Sequence, residues 1–576
     1  MTATTGFRWL VVPEADMPEP SRELVGGKAW SLWRMRSLGL RVPPAFVVTT
    51  KACAAYFEGD DLPEGLAGEL TAGIRHLERQ LGRAFGGTER PLLVSVRSGA
   101  AISMPGMMDT ILDLGCNDEI EAALAAESGD PEFAAEVHRR FTGFYGRLVL
   151  GCTEDLEDLP DTAAVRAAIA DDVGEAVPAD PWEQLRAAVA AVFRSSRSRR
   201  AIAYRKHYGI PEDLGTAVTI QAMVFGNLDD DSGTGVLFTR NPVDGTREPY
   251  GEYLPRGQGE DVVSGRVTPQ PLAHLAQRWP RVHAELLAAA DCLDREGRDA
   301  QDIEFTVQRG ELFLLQSRPA KRTARAAVRI AVELVDEGVL TPDEAVTRVT
   351  ADQVRTLLRP EIAPGAAEDA QLLASGVGAS PGVATGVVVD TPEAAQENPG
   401  CVLVRKSTSP DDVHGMIAAA AVVTEQGGAT SHAAVVSRAL DTPCVVGCGA
   451  GTVAALTGRT VTVDATTGRV YAGELATSAA DEREDPDLRR LTDWAEAASP
   501  VQVRAAGAVE PVFDGDQAGL GEALPVIPEG TKTVRGAVFC APDGVQAALD
   551  AGVEVILTPH RLPVLLAAIA HHRRTS

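Results

Sequence analysis

One histidine stands in a segment whose residue types could support phosphate chemistry, EQGGATSHAAVVSRAL at residues 425–440. The glycines allow a sharp turn, and Thr430 and Ser431 are placed to cap the helix that the following apolar run predicts. His432 would then lie in the first helical turn, where free backbone N–H groups and the helix dipole favour an anion. Because imidazole is nucleophilic near neutral pH, the pattern predicts a histidine that carries a phosphoryl group. The alternative is a structural histidine at a helix cap.

A second set of polar side chains follows the alternation of a β-hairpin. The segment AQDIEFTVQRGELFLLQSRPAKR predicts two strands that turn at Arg309-Gly310. A period of two places Asp302 and Glu304 on one face of the first strand, and Gln316 and Arg318 on one face of the second. Carboxylate, amide and guanidinium groups on facing strands could hold Mg²⁺ and a polyphosphate. The same alternation also describes any half-solvated hairpin.

Two further cations precede these segments. Lys28 follows a pair of glycines at the start of an amphipathic helical run, and Arg97 ends a strand-like run before a loop of small residues and methionines. Both positions suit phosphate binding, with the loop after Arg97 as a mobile cover. The spacing GxxxxGK[ST] is absent, so the Lys28 segment is not a P-loop. An exposed lysine at a helix start and a surface ion pair are the respective alternatives.

Composition limits the classes of partner. The chain has 576 residues, 81 acidic against 54 basic, and a formal net charge of −27. This charge argues against a nucleic-acid partner, and it requires that an anion site be built from local cations. No apolar run approaches the roughly 20 residues that span a bilayer, and the N-terminus lacks the pattern of a signal peptide, so we expect no membrane partner and a cytoplasmic protein.

The element pattern predicts an α/β (α+β) protein of several domains. Strand-like and helical runs alternate through residues 1–321, with a helical insertion at about 130–205. A helical linker is expected at 322–372, and short Val- and Gly-rich strands predict a compact α/β domain at 373–476 that carries the histidine. The remaining residues, 477–576, predict a linker helix and a short α/β segment.

These motifs together resemble the pyruvate phosphate dikinase family. GGKAWSL, SVRSGAAISMPGMMDT, GTAVTIQAMVFGN, GTGVLFTRNP, GEYL, DIEF, LLQSRPAKRTA and GGATSHAAVVSRA occur in the family's order over about residues 6–475. The resemblance implies an N-terminal ATP-grasp nucleotide-binding domain and a swivelling phosphohistidine domain. In the family, ATP pyrophosphorylates the histidine, the terminal phosphoryl group moves to inorganic phosphate, and AMP and pyrophosphate leave. The phosphohistidine domain then swings to a separate barrel and phosphorylates pyruvate.

The resemblance also implies roles for individual residues. Eight positions would bind the nucleotide: Lys28, Arg97, Gln221, Val224, Asp302, Glu304, Gln316 and Arg318. Among these, the three cations would hold the triphosphate, Glu304 and Gln316 would bind Mg²⁺, and the segment from Gln221 to Val224 would lie near the adenine. His432 would be phosphorylated, and Thr430 would hydrogen-bond the phosphoryl group. Arg97 would act with these two in catalysis.

The family's C-terminal barrel, which binds phosphoenolpyruvate and pyruvate, has no counterpart in the sequence. A complete (β/α)₈ barrel needs roughly 250 residues, and only about 75 follow the linker helix. We therefore expect a truncated dikinase that charges His432 from ATP and phosphate and passes the phosphoryl group to a separate barrel protein or to a small molecule. The alternatives are a catalytically silent regulatory or scaffold subunit of a split dikinase, and a new acceptor site in the tail. A homodimer is left open.

Overall fold

The computed structural model describes most of the chain, namely residues 7–100, 110–207, 210–211, 215–264, 268–358, 360–363, 365–440, 442–479, 482–505, 512–514, 526–558 and 560–575. These residues form several sheets with helices packed against them, which confirms the predicted α/β architecture of several domains. No helix in this part of the chain is long and apolar enough to cross a membrane.

The first sheet is antiparallel and has five strands, in the spatial order Leu10–Val11, Ala45–Val48, Ala217–Ala222, Val94–Gly99 and Thr110–Leu114. Its apolar face packs against helices that begin at side-chain caps, such as Asn117, Asp130 and Asp180. The helices of this region are Arg22–Ser37, Thr50–Gly59, Leu66–Leu81, Asp118–Ser128, Pro131–Tyr145, Thr162–Val173, Pro181–Ser195 and Arg199–His207. A π-helical turn, Gly146–Leu150, follows the fifth of them.

The second sheet is also antiparallel, in the order Glu311–Pro319, Gln301–Gln308, Gly233–Phe238, Tyr250–Pro255 and Gln270–Pro271. Its helices are Gly259–Ser264, Leu272–Arg278 and Pro280–Gly297. The predicted hairpin is confirmed, and Arg309 and Gly310 have φ angles of 50° and 74°. Positive φ at both central residues is the requirement of the two-residue turn that matches the twist of the strands.

The helix Arg22–Ser37 joins the two sheets near its start. Gly26 has φ +75°, and a Cβ there would lie 1.9 Å from the carbonyl oxygen of Gly99 in the first sheet. Five residues on, the hydroxyl of Ser31 donates to the carbonyl of Ser317 in the second sheet, at 2.6 Å. Only glycine permits the first approach. Lys28 consequently lies between the strand that carries Arg97 and the strand that carries Arg318.

The third sheet carries the histidine segment and has eight strands, in the order Leu372–Ser375, Arg469–Ala472, Thr460–Asp464, Val383–Val389, Val402–Arg405, Ala421–Thr424, Cys444–Val446 and Val377–Ser380. Four of them, from Val383–Val389 to Cys444–Val446, are parallel neighbours. Its helices are Pro392–Glu397, Val413–Ala418, His432–Leu440 and Thr452–Leu456, with a 3₁₀ turn at Pro410–Asp412. His432 thus begins the helix that follows the carboxyl end of a central parallel strand, where α/β sheets bind ligands.

Segments on both sides of the third sheet share one apolar core. Helices before it (Ala324–Asp336, Pro342–Arg348 and Ala351–Leu357) pack with helices after it (Pro486–Ala498, Pro542–Asp550 and Arg561–Thr575). A parallel sheet completes this unit, in the order Gln502–Arg504, Val555–Leu557, Thr533–Arg535 and Phe513–Asp514, with a 3₁₀ turn at Ala537–Cys540. The helices expected as a linker are therefore part of a packed unit.

The chain enters and leaves the third sheet through paired strands. Pro360–Ile362 runs antiparallel to Thr477–Ala479, with Glu361 opposite Ser478. Both connections to the histidine-bearing sheet therefore lie side by side in one narrow ribbon.

A buried ion cluster ties the second sheet to the helical unit. The Arg240 side chain is fully buried and pairs with Asp294 and Glu337 at 2.8 Å each, and with Glu333 at 3.4 Å. We expect Arg240→Met to lower the free energy of unfolding by about 3–5 kcal/mol, because it removes the buried ion pairs with Glu333 and Glu337 and leaves Asp294 without a cationic partner. The half-buried Arg329, which pairs with the same Glu333 at 2.9 Å, provides the control.

Urea unfolding followed by tryptophan fluorescence measures both variants. Arg329→Met should lower the free energy of unfolding by less than about 1 kcal/mol, as is typical of an i,i+4 ion pair near the surface. An equal decrease in the free energy of unfolding of the two variants would contradict a special role of the buried cluster.

Candidate active site

One face of the second sheet collects the predicted polar residues. In the register, Asp302 lies opposite both Phe238 and Arg318, and on the next rung of that face Glu304 lies opposite Gln316. Directly opposed residues of an antiparallel pair project to the same face, and so do residues two apart on one strand. Asp302, Glu304, Gln316 and Arg318 therefore share one face, which we call the ligand face.

A β-bulge produces this arrangement. From the turn to Leu314, the hairpin pairs residues in regular register, with Leu314 opposite Phe305. Without the register shift after Leu314, Leu315 would face Glu304, and Gln316 would project to the other side of the sheet. The extra residue instead brings Gln316 opposite Glu304.

Opposite charges are paired across the ligand face. Arg97 of the first sheet donates to Glu304 Oε2 at 3.0 Å, and Arg318 Nε donates to Asp302 Oδ2 at 2.8 Å. Burial alone would raise the pKa of Glu304, but the charges of Arg97, Arg318 and Lys28 outweigh it and lower that pKa below its usual value. Asp302 is the main cause that raises the pKa of Arg318. Glu304 is therefore ionised at neutral pH, among three cations.

Two oxygens on this face are buried and unpaired. Asp302 Oδ1 and Gln316 Oε1 accept no hydrogen bond from the described residues, and both side chains are about 95% buried. Buried acceptors without partners are costly unless a ligand or water satisfies them. With the ionised carboxylate of Glu304 opposite Gln316, the donor set fits Mg²⁺, which prefers a few protein oxygens and completes its shell with phosphate and water. Among the described residues, no cluster of three or more His, Cys, Asp or Glu could hold a metal by itself.

Gln221 and Val224 lie apart from this cluster, in and just after a strand of the first sheet. Gln221 is buried, and its amide donates to the carbonyl of Pro43 at 3.3 Å. Val224 is half-buried and precedes Phe225, whose N–H donates to Gln308 Oε1 of the second sheet at 2.7 Å. Gln308 is four residues from Glu304 along its strand, or roughly 13 Å. Val224 therefore lies next to the residue that contacts the far end of the strand that carries Glu304.

The histidine segment forms the predicted helix, His432–Leu440, and only one of the two expected caps is used. Ser431 Oγ accepts the N–H of Ala434 at 3.5 Å. Thr430, predicted as a second cap, instead donates its hydroxyl to Glu252 of the second sheet. The capping prediction for Thr430 was thus wrong, because its hydroxyl is held by the Glu252 carboxylate of a distant strand and only Ser431 accepts a helix N–H.

The environment of His432 keeps its imidazole neutral. Nδ1 lies 3.0 Å from Thr408 Oγ1, and Nε2 is buried without a hydrogen-bond partner in the described part of the chain. Burial lowers the pKa of His432 to about 4, although Asp412 and Asp411 act in the opposite direction. A neutral ring with a proton on Nδ1, bonded to Thr408, leaves the lone pair of Nε2 available for attack.

The histidine loop is docked on the ligand face. Besides the bond from Thr430 to Glu252, a Cβ on Gly428 would lie 2.6 Å from a carboxylate oxygen of Glu252. The guanidinium carbon of Arg438 lies 5.7 Å from the centre of the Phe238 ring. Glu252 lies opposite Val236, which itself lies opposite Glu304, so Glu252 belongs to the ligand face. The loop that leads to His432 therefore contacts the sheet face that carries the predicted metal and phosphate ligands.

Sequence reasoning missed Glu252 and Thr408. Glu252 lies in the quoted GEYL motif, but only the strand register shows that it shares a face with Glu304. The predicted mobile cover after Arg97, residues 101–109, lies outside the described residues.

Comparisons with known proteins match both parts of this site. Residues 22–67 and 60–287 match the family model "Pyruvate phosphate dikinase, AMP/ATP-binding domain", and residues 397–468 match "PEP-utilising enzyme, mobile domain". A pyruvate, phosphate dikinase of Rhizobium meliloti is 42% identical over 552 residues, covering 86% of this chain and 61% of the relative. The Clostridium symbiosum enzyme is 41% identical over 524 residues, and a chloroplastic enzyme of Zea mays is 45% identical over 455. The alignments cover 84% and 74% of this chain, and 60% and 48% of those two relatives.

Proposed function

The chain is homologous to the pyruvate phosphate dikinases over most of its length, as the sequence motifs predicted, and on that premise we propose that it is an ATP-dependent phosphotransferase of the dikinase type. ATP, with inorganic phosphate, phosphorylates His432 and yields AMP and pyrophosphate. The observation that carries this proposal is the unpaired Nε2 of His432, on a loop docked against the face that holds Asp302, Glu304 and Gln316. Formation of AMP from ATP, in an amount equal to the protein, tests it.

The nucleotide site supplies local cations in an acidic chain. Arg97 and Arg318 lie at the ligand face, and the charge of Lys28 acts on Glu304 there. With a net charge of −27, the protein needs such a cluster to bind a triphosphate. Glu304 and Gln316 would hold Mg²⁺, which when bound neutralises phosphate charge.

His432 acts as the nucleophile. Its Nε2 lone pair attacks the β-phosphorus of ATP, an N–P bond forms, and the bond to the bridging oxygen breaks so that AMP leaves with that oxygen. An oxygen of inorganic phosphate then attacks the terminal phosphorus, and pyrophosphate leaves. A single phosphoryl group stays on Nε2. The proton on Nδ1 stays bonded to Thr408 through both transfers, and the nearby Asp411 and Asp412 stabilise positive charge on the ring.

Thr430 links this chemistry to docking. In the docked arrangement its hydroxyl donates to Glu252. A phosphoryl group on His432, two residues away, is a competing acceptor for the same hydroxyl, and it also repels the Glu252 carboxylate. Phosphorylation of His432 therefore weakens the contact that holds the loop on the ligand face.

The charged domain then carries the phosphoryl group away. Both connections to the third sheet run through the ribbon of Pro360–Ile362 and Thr477–Ala479, which leaves that sheet free to rotate as a body. The acceptor that the family resemblance implies is a barrel that binds phosphoenolpyruvate and pyruvate, and the alternative is a small molecule. The chain spans about three fifths of the length of the Rhizobium and Clostridium relatives.

Glu252 should affect transfer without affecting ATP binding. We expect Glu252→Ala to slow the labelling of His432 about tenfold, because it removes a charge-assisted hydrogen bond of about 1.5 kcal/mol. The dissociation constant for ATP should stay within twofold, because the contact is made by Thr430 rather than by a nucleotide ligand. Rapid-quench labelling and equilibrium dialysis give the two quantities.

The exposed neighbour Glu248 provides a matched control. In Glu248→Ala, His432 should be labelled at the same rate as in the unaltered protein. Equal weakening of ATP binding and labelling by Glu252→Ala would contradict a role in docking.

A further inference from the structure

Arg438 is a buried cation on the helix that His432 begins. Arg438 is only 4% exposed. One of its terminal guanidinium nitrogens, NH1, donates to the carbonyls of Ala379 and Ala429 at 3.1 and 2.9 Å. Ala429 immediately precedes Thr430, so this nitrogen holds the backbone of the histidine loop. These two bonds use a single nitrogen of the guanidinium group.

The other two guanidinium nitrogens have no such partner. Nε and NH2 of Arg438 are buried and donate to no acceptor in the described part of the chain. A buried arginine with unpaired donors is costly unless a ligand completes its hydrogen bonds. The three-donor fork that guanidinium leaves open here, one N–H on Nε and two on NH2, matches the oxygens of a phosphoryl group.

The position of the guanidinium group indicates which ligand that is. Its carbon lies 5.7 Å from the ring centre of Phe238, and Phe238 lies opposite Asp302 on the ligand face. Asp302 does not complete the pairing, since its Oδ2 accepts from Arg318 and its Oδ1 accepts no hydrogen bond from the described residues. Burial lowers the pKa of Arg438, and the leading charge that opposes this effect is that of Asp302. The unpaired donors of Arg438 and the unpaired Oδ1 of Asp302 therefore lie on opposite sides of the contact between the histidine loop and the ligand face, next to the predicted phosphate ligands.

We propose that Arg438 is a phosphoryl-binding residue that the histidine-bearing sheet brings to ATP, donating through Nε and NH2 to non-bridging oxygens of the group that moves to His432. The inference rests on the proposed function and adds a third arginine to Arg97 and Arg318. In the transfer, the bond from Nε2 to the β-phosphorus forms as the bond to the AMP oxygen breaks. Arg438 exchanges no proton in this step. Because it arrives with the docking domain, it stabilises the transfer and leaves ATP binding to the other two arginines.

The test compares Arg438→Met, Arg438→Lys and Arg438→Ala with the unaltered protein in single-turnover labelling by β-labelled ATP. We expect Arg438→Met to label at least 100-fold more slowly, with the dissociation constant for ATP unchanged within twofold. Arg438→Lys retains the positive charge but lacks the forked donors of the guanidinium group, and its labelling should be at least tenfold slower than that of the unaltered protein. Methylguanidine should restore part of the rate to Arg438→Ala, because it returns the guanidinium donors to the same cavity. Arg459→Met, an exposed change in the same domain, should have no effect.

The outcomes separate this inference from the proposed function. No labelling of the unaltered protein would contradict the proposed function itself. Labelling of the unaltered protein, with Arg438→Lys within threefold of it, would overturn the role of Arg438 alone. Absence of methylguanidine rescue in an Arg438→Ala protein with an unchanged melting temperature would also overturn it. If Arg438→Met does not fold, the lysine variant and the rescue decide the question.

Discussion

Replacement of His432 by alanine should abolish the transfer of label from ATP to the protein. The expected loss is complete, to the background of the assay, because the unpaired Nε2 of His432 is the proposed nucleophile and residues 425–440 contain no other histidine. ATP should still bind with a dissociation constant within threefold of the original value, since its predicted ligands lie on the other two sheets. Acid-labile label after incubation with β-labelled ATP measures the first quantity, and equilibrium dialysis the second.

A histidine of the same domain provides the control for this change. His414 lies on the helix Val413–Ala418, and its side chain is 39% exposed beside Glu393. His414→Ala should label as the unaltered protein does. Retention of label in His432→Ala would contradict the assignment of the nucleophile.

Replacement of Glu304 by alanine should slow labelling of His432 by roughly 10³-fold. Glu304 is ionised among three cations and lies opposite Gln316, whose Oε1 is unpaired. Losing a metal ligand removes several kcal/mol of charge stabilisation from the transfer, and each 1.36 kcal/mol changes the rate tenfold. The rate should also require a higher Mg²⁺ concentration to saturate. A Mg²⁺ titration of the single-turnover rate measures both effects.

Glu311 provides the matched control on the same hairpin. It is exposed and pairs with Arg41 at the surface, at 3.1 Å. Glu311→Ala should change neither the rate nor its dependence on Mg²⁺. An unchanged Mg²⁺ dependence in Glu304→Ala would show that Glu304 is not a metal ligand.

The hairpin shows how far the sequence predicts the site. Period-two alternation predicts that Asp302 and Glu304 share one face and that Gln316 and Arg318 share another. It does not predict that the two faces are the same, because that depends on the bulge after Leu314. A bulge adds one residue to a strand, and no particular residue type marks its position in the sequence. The assignment of these four residues to one nucleotide site therefore came from the resemblance to a family.

The contacts between the histidine loop and the ligand face cannot be predicted from local sequence patterns. Thr430 and Glu252 are 178 residues apart, and Arg438 reaches Phe238 across the same surface. Local patterns predict the helix that His432 begins and the cap at Ser431, since both depend on neighbouring residues. The partner of Thr430 depends on how two separate sheets pack, and no local pattern around Arg438 predicts that its side chain is buried.

The most direct test of the account uses ATP labelled at the β or the γ position, with Mg²⁺, in the presence and absence of phosphate, and with His432→Ala as control. We expect β-label to become bound to the protein in acid-labile form, γ-label to join it when phosphate is absent, and phosphate to release the γ-label as pyrophosphate. AMP should form in step with the bound label. No label on the unaltered protein under any of these conditions would contradict the account, and would make the chain a regulatory or scaffold relative of the dikinases.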